Sequence, residues 1–228
     1  MCILSYAPTN DGFVLTFNRD EVYNRVAKPP EQYTVGNQKL IFPKDTKYGG
    51  SWIGVNVTKS VVGCILNAKR KTPKIPSNSR GNIFIDQLIQ GKTNLYESEL
   101  HDIAPFTLLS FYLHLQVITQ YHWDGLLLKR NKRKMSTPFI FCSSSLYENA
   151  IMKKLKAEFN SLIASKSKIE TTTSSFHKKY IFYKNHPIFL KRSSGIQTVS
   201  VTTILKNKNG LRLNYTDLVE NAEQTIQL

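Results

Sequence analysis

MCILSYAPTNDGFVLTFNRDE, residues 1–21, decides how this chain folds. Two apolar runs, residues 3–7 and 13–17, flank Pro8-Thr9-Asn10-Asp11-Gly12, and Asp-Gly between such runs is a strong hairpin signal. The spacing predicts two antiparallel strands that return Arg19 and Asp20, at the end of the second, beside Cys2 at the start of the first. Cys2 follows the initiator methionine, and aminopeptidases remove Met1 when the next side chain is small. Cys2 is then expected to carry both a thiol and a free α-amine. Their reference pKa values are roughly 8.5 and 7.7–8.0, so either proton moves near neutral pH. A nucleophile and its base in one residue is the logic of N-terminal nucleophile catalysis.

Outward from the hairpin, 228 residues suit a single domain spanning 1–228, with enough chain for a sizeable core. A hydrophobic fraction of 41% and an aromatic fraction of 11% belong to a packed globule. The three cysteines, Cys2, Cys64 and Cys142, form neither a disulfide framework nor a metal pattern. Cys64 and Cys142 lie in apolar β-type runs and read as buried free thiols. The five histidines show no metal-ligand spacing, and no metal or other cofactor is expected. The first residues lack the basic and long apolar regions of a signal peptide, and no run is long enough to span a bilayer. The expectation is a soluble protein of a reducing compartment, the cytoplasm. The net charge of +15 favours anionic partners, whether nucleic acid, a membrane surface or a substrate bearing carboxylate or phosphate. KRNKRK, residues 129–134, has no aromatic residue on which a base could stack and reads as a solvated loop between strands, not a nucleic-acid site.

Along the chain, Arg25 and Pro29-Pro30 read as a loop and residues 39–43 as a short strand. GGSWIGVN, residues 49–56, and SVVGCILN, residues 60–67, read as paired strands, with Asn67 at the end of the second, where its amide can point into a cleft. Residues 68–82 form a polar loop. Ser79 caps a helix that runs to Gln90, with Ile83, Phe84, Gln87 and Leu88 inward and Gly91 as the stop. Gly91-Lys92-Thr93 is no phosphate loop, because the earlier glycine that loop needs is Asp86. Residues 106–117, 119–123, 125–130 and 137–142 read as strands, with a hairpin turn at Asp124-Gly125. Ser145 and Glu148 form a capping box for a helix burying Ile151, Leu155, Phe159 and Leu162. Residues 165–175 read as a loop, and strands are expected near 179–184, 197–206 and 210–215. This order suits two antiparallel sheets with helices packed outside.

MCIL at 1–4, FNRDE at 17–21, Arg25, GGSWIGV at 49–55, Asn67, SRG at 79–81, FCSSSLY at 141–147 and TVSVT at 198–202 together resemble the NRDE family, which includes the transport and Golgi organisation protein 2 proteins. The chain departs from the family at residues 66–69, where Thr-Asn-aromatic-Arg is usual, and at 43–45, where Gly-Arg-Asp is common. The resemblance implies an α+β fold of the N-terminal nucleophile hydrolase type, a four-layer αββα sandwich of two stacked antiparallel sheets flanked by helices. It implies Cys2 as nucleophile with its amine as base, Asp20 holding the ammonium form, Arg19 favouring the thiolate, and Asn67 donating to the oxyanion. Asn18, Glu21, Arg25, Gly50, Ser51, Trp52 and Arg80 are the implied substrate-binding residues. The implied reaction is hydrolysis of a linear amide or thioester of an amphipathic acyl compound. The alternative is a non-catalytic carrier of haem or acyl-coenzyme A, since family relatives are linked to haem trafficking, lipid metabolism and secretory organisation. The partner expected either way is a small acyl or haem-like molecule, with no nucleic acid and no membrane span.

Overall fold

The hairpin forms where the apolar alternation and Asp11-Gly12 place it: β1 (Cys2–Thr9) pairs antiparallel with β2 (Gly12–Val22), Cys2 opposite Arg19 and Thr9 opposite Gly12. The computed structural model describes residues 2–69, 77–91, 94–143, 149–165, 168–178 and 195–228. The chain divides into two compact units, one of Met1–Asn24 with Ser136–Leu228, the other Arg25–Met135.

The second unit runs β3 (Ala27–Val35), β4 (Gln38–Asp45), β5 (Ile53–Asn56), β6 (Val61–Asn67), α1 (Arg80–Gln90), β7 (Phe106–Tyr112), β8 (Val117–Trp123) and β9 (Leu128–Lys134). Its strands form one seven-stranded antiparallel sheet in simple sequence order, β3 to β9. α1 begins as the sequence indicates: the Ser79 side chain accepts from the Gly81 N–H, and Gly91 closes the helix in the left-handed region at φ 56°. Phe84, Gln87 and Leu88 form its buried face.

Several expectations fail in this unit, and the strands read over 49–56 and 125–130 begin only at Ile53 and Leu128. Pro29-Pro30 do not make a loop; they lie within β3, an edge strand with a bulge between Lys28 and Glu31, where a missing N–H costs little. The strand expected over 106–117 ends at Tyr112, because residues 113–116 turn and Gln116 takes a φ of 51°. KRNKRK is not a loop but the body of β9, paired residue for residue with β8 and exposed along its length. A row of cations is compatible with an outermost strand, since charge there discourages pairing with other chains.

The chain then returns to the first unit through β10 (Phe139–Cys142), α2 (Asn149–Ala164), α3 (Ile169–Lys178), β11 (Ile196–Asn207), β12 (Gly210–Asp217) and β13 (Ala222–Gln227). Its six strands are ordered β10-β1-β2-β11-β12-β13, so the N-terminal hairpin is interior, held by later strands on both sides. Ile3 and Ala7 on one face of β1 pack with Ile140 and with Leu155, Phe159 and Phe176 of the two helices. Leu4, Tyr6, Leu15 and Phe17, on the opposite face, are as fully buried.

The expected loop over 165–175 is mostly α3. Its threonines and serines are poor helix formers, but Thr173, Phe176 and His177 bury one face, and that packing outweighs propensity. The expected capping box at Ser145 and Glu148, and the expected strand near 179–184, lie outside the described residues, as does the side-chain environment of Ile151. The architecture is α+β, with two antiparallel sheets of six and seven strands and, among the described residues, three α-helices. No described helix is long and apolar enough to cross a membrane.

Candidate functional site

β2 carries the NRDE motif between two neighbours, β1 and β11. Against β11, Asn18 faces Val201, Arg19 faces Ser200, Asp20 faces Thr198 and Glu21 faces Gln197, with the register shifting between Thr198 and Ser200. A bulge of this kind bends the strand and re-aims its side chains. Here it falls beside Asp20, whose Oδ1 accepts a 2.8 Å hydrogen bond from the Thr198 hydroxyl. Cys2, Arg19 and Asp20 are 6%, 5% and 1% exposed, so the charges lie in a medium that screens them weakly. The Cys2 carbonyl accepts from the Ser143 N–H at 2.9 Å, fixing the first residue of β1 against the chain leaving β10.

Five influences act on the Cys2 thiol. Burial is the largest and pushes it up; the positive chain terminus pulls it down. The Asp20 charge then raises it, while a hydrogen bond with the Asp20 backbone and the Arg19 charge lower it. The net shift is upward, so burial wins. Cys142 is half-buried, and its thiol is raised well above the ordinary range by burial and by Asp20. Cys64 is buried in the second unit.

The first residue of the motif faces elsewhere. Strand alternation sets Asn18 on the face opposite Arg19, under α3. There the Asn18 Nδ2 donates to the His177 carbonyl at 3.2 Å, which orients the amide so that Oδ1 meets His177 Nδ1 at 2.8 Å. Nδ1 is therefore the protonated nitrogen, and Nε2 accepts from the Ser5 hydroxyl at 2.7 Å. Ser5, Asn18 and His177 are all 0% exposed. Burial alone lowers the His177 pKa to about 3, so the ring is neutral. This Ser-His-Asn chain resembles a hydrolytic triad in its bonding, but its complete burial makes it an anchor for α3. His177 carries no local signal in the sequence, because its partners stand 172 and 159 positions away.

Apart from Glu21, the remaining residues expected at the site belong to the second unit. Arg25 Nε bonds Asp45 Oδ2 at 2.9 Å, with its guanidinium over the Tyr48 ring at 5.1 Å. Asp45 Oδ1 also accepts from the N–H groups of Lys47 and Tyr48, closing the turn before Gly49. The Ser51 hydroxyl donates to the Pro43 carbonyl at 2.6 Å, and Trp52 is buried beside it. Gly50 lies backbone to backbone on Gly81, the first turn of α1: a Cβ on Gly50 would stand 2.7 Å from Gly81 Cα. The GGSW and SRG segments are thus two halves of one contact. Arg80 Nη1 donates to the Pro105 carbonyl at 3.2 Å. Asn67 is the last residue of β6, half-buried and opposite Phe106. Glu21, in the first unit, accepts from the Val22 N–H through Oε1.

Two cavities of about 390 Å³ each are lined wholly by described residues. One is bounded by Tyr96, Tyr121, Leu128 and Arg130, the other by Lys178, Thr203, Arg212 and Glu223; neither is lined by Cys2. Among the described residues no group of three or more His, Cys, Asp or Glu is placed to hold a metal ion.

The family model described as Transport and Golgi organisation 2 matches residues 1–215. No curated protein matches the chain at a significant level.

Proposed function

The chain belongs to the Transport and Golgi organisation 2 family, and on that premise we propose that it is a cysteine hydrolase acting on a linear amide or thioester of an amphipathic acyl compound. The observation that carries this reading is the register of the N-terminal hairpin, which sets Cys2 opposite Arg19 with Asp20 next along the strand, all three buried.

In the proposed reaction Met1 is removed and the α-amine of Cys2 takes the thiol proton. The sulfur attacks the carbonyl carbon, forming a C–S bond and an oxyanion. Collapse of that adduct breaks the bond to nitrogen or sulfur, and the ammonium returns its proton to the leaving group. Water then attacks the acyl-cysteine, the amine takes its proton, and the acid departs as Cys2 regains its thiol. Asp20 opposes the thiolate electrostatically, so its part in the cycle is to hold the ammonium form. Arg19, which lowers the thiol pKa, favours the attacking sulfur. The cationic surplus of the chain suits an acyl compound that also bears carboxylate or phosphate.

A second reading, a non-catalytic carrier of haem or acyl-coenzyme A, is favoured by the net upward shift of the Cys2 thiol, which keeps it protonated at rest.

The deciding experiment is the intact mass of untagged protein before and after a reactive acyl ester, alongside Cys2→Ala. Loss of Met1 with one acyl adduct that is absent in Cys2→Ala supports the hydrolase. Retained Met1 on native protein, or a Cys2 no more reactive than Cys64, overturns it. Saturable haem or acyl-coenzyme A binding that survives Cys2→Ala then supports the carrier.

A further inference from the structure

The β8–β9 hairpin combines two features that edge protection alone does not require together. The first is a row of cations. Lys129, Arg130, Lys132, Arg133 and Lys134 occupy five of the last six positions of β9, all exposed, on the outermost strand of the seven-stranded sheet. No acidic residue stands between Asp124 and the end of that strand. The second is the tip. Leu126 and Leu127 are 63% and 57% exposed, the two adjacent residues of the turn that leads into this strand.

The tip is held in shape. Asp124, itself buried, accepts from the N–H groups of both Leu126 and Leu127 through Oδ1 at 2.9 Å, and its own N–H donates to the Leu127 carbonyl at 3.3 Å. Glu97 Oε1 then accepts from the Leu128 N–H at 2.7 Å. The leucines are therefore presented by a satisfied turn, at no further cost in backbone order. Tyr96, 60% exposed, lines the cavity that Leu128 and Arg130 of the strand also line. Aromatic rings of this kind settle at the level of lipid headgroups.

We propose that this hairpin docks the protein on an anionic phospholipid bilayer, with Leu126 and Leu127 entering the headgroup–acyl boundary and the β9 cations resting on the lipid phosphates. The two features match the two properties of such a surface: negative potential, and hydrocarbon a few ångströms beneath it. Nucleic acid offers the charge but nothing to receive two leucines. The inference is independent of the chemistry at Cys2.

The test is flotation of the full chain with phosphatidylcholine vesicles with and without phosphatidylserine, at low and physiological salt. Flotation with phosphatidylserine alone, weakened by salt, is the expected result. Leu126→Ser/Leu127→Ser is expected to weaken it about tenfold or more, and Lys132→Gln/Lys134→Gln by a similar factor. All four positions are exposed, and an unchanged circular dichroism spectrum verifies each fold. Failure to float at low salt overturns the proposal. So does flotation indifferent to the leucine substitutions, or retention on duplex DNA without flotation, which would assign the strand to nucleic acid.

Discussion

His177 Nδ1 lies 2.8 Å from Asn18 Oδ1, tying α3 to the interior strand that carries the NRDE motif. Because alternate residues of a strand face opposite sides, this bond and the Cys2–Arg19 pairing use different faces of the same strand. Asn18 therefore serves the packing of α3, while Arg19 faces the thiol. A short sequence motif here records two requirements at once.

Replacing His177 by Phe removes the two ring nitrogens that the buried Ser5 hydroxyl and Asn18 Oδ1 bond. A loss of about 2–4 kcal/mol of stability is expected, read from the urea midpoint. A change below about 0.5 kcal/mol would show that water or rearrangement satisfies both groups.

The same histidine makes stability depend on acid. Its pKa is near 6.5 unfolded and about 3 folded, so between those values the unfolded chain binds the extra proton. Stability should fall as pH drops through that window, by at most about 1.4 kcal/mol per pH unit from this group. Urea titrations from pH 7 to 4 should show a shallower slope in a folded His177→Gln variant. Equal slopes would mean the ring is not buried neutral.

The charges beside Cys2 make opposite forecasts for neighbouring residues. Asp20→Asn removes a charge that raises the thiol and leaves the backbone hydrogen bond that lowers it, so alkylation at fixed pH should quicken. Arg19→Gln should slow it. Rates for each variant, with Cys64→Ala and Cys142→Ala in the background, check both signs.

Gly81→Ala should cost about 1–3 kcal/mol, since its Cβ would stand 2.9 Å from both Gly50 Cα and the Ser51 nitrogen. Both neighbours are backbone and cannot swing aside. Thermal unfolding compared with Asn82→Ala, an exposed position one residue on, measures the difference.

What could be read from the sequence follows the range of the interactions concerned. The β1–β2 hairpin and α1 were legible because Asp11-Gly12, Ser79 and Gly91 act within a few residues of the structure they create. With the hairpin came the nearness of Cys2 and Arg19. α3 was missed because its serines and threonines argue against a helix, and only the tertiary burial of Thr173, Phe176 and His177 argues for it. β3 and β9 were misjudged because proline and lysine read as loop residues until a strand is known to lie at an edge. β13, with almost no apolar pattern, was not anticipated at all. His177 was illegible for the same reason as α3. Its meaning depends on Ser5 and Asn18, and only the folded chain brings them together.

The strand order β10-β1-β2-β11 has a consequence for the timing of synthesis. β2 ends at Val22, and its neighbour β11 begins only at Ile196. At the pace of translation, roughly ten to thirty seconds pass between the two leaving the ribosome. The whole of β3 to β9 is made in that interval. Throughout it β1 and β2 have no completed sheet to enter, so the removal of Met1 that the proposed reaction requires would come before the burial that leaves Cys2 6% exposed. The ribosome itself thus sets the window open to the maturation that the proposed reaction requires, and the return of the chain from Ser136 onward closes it.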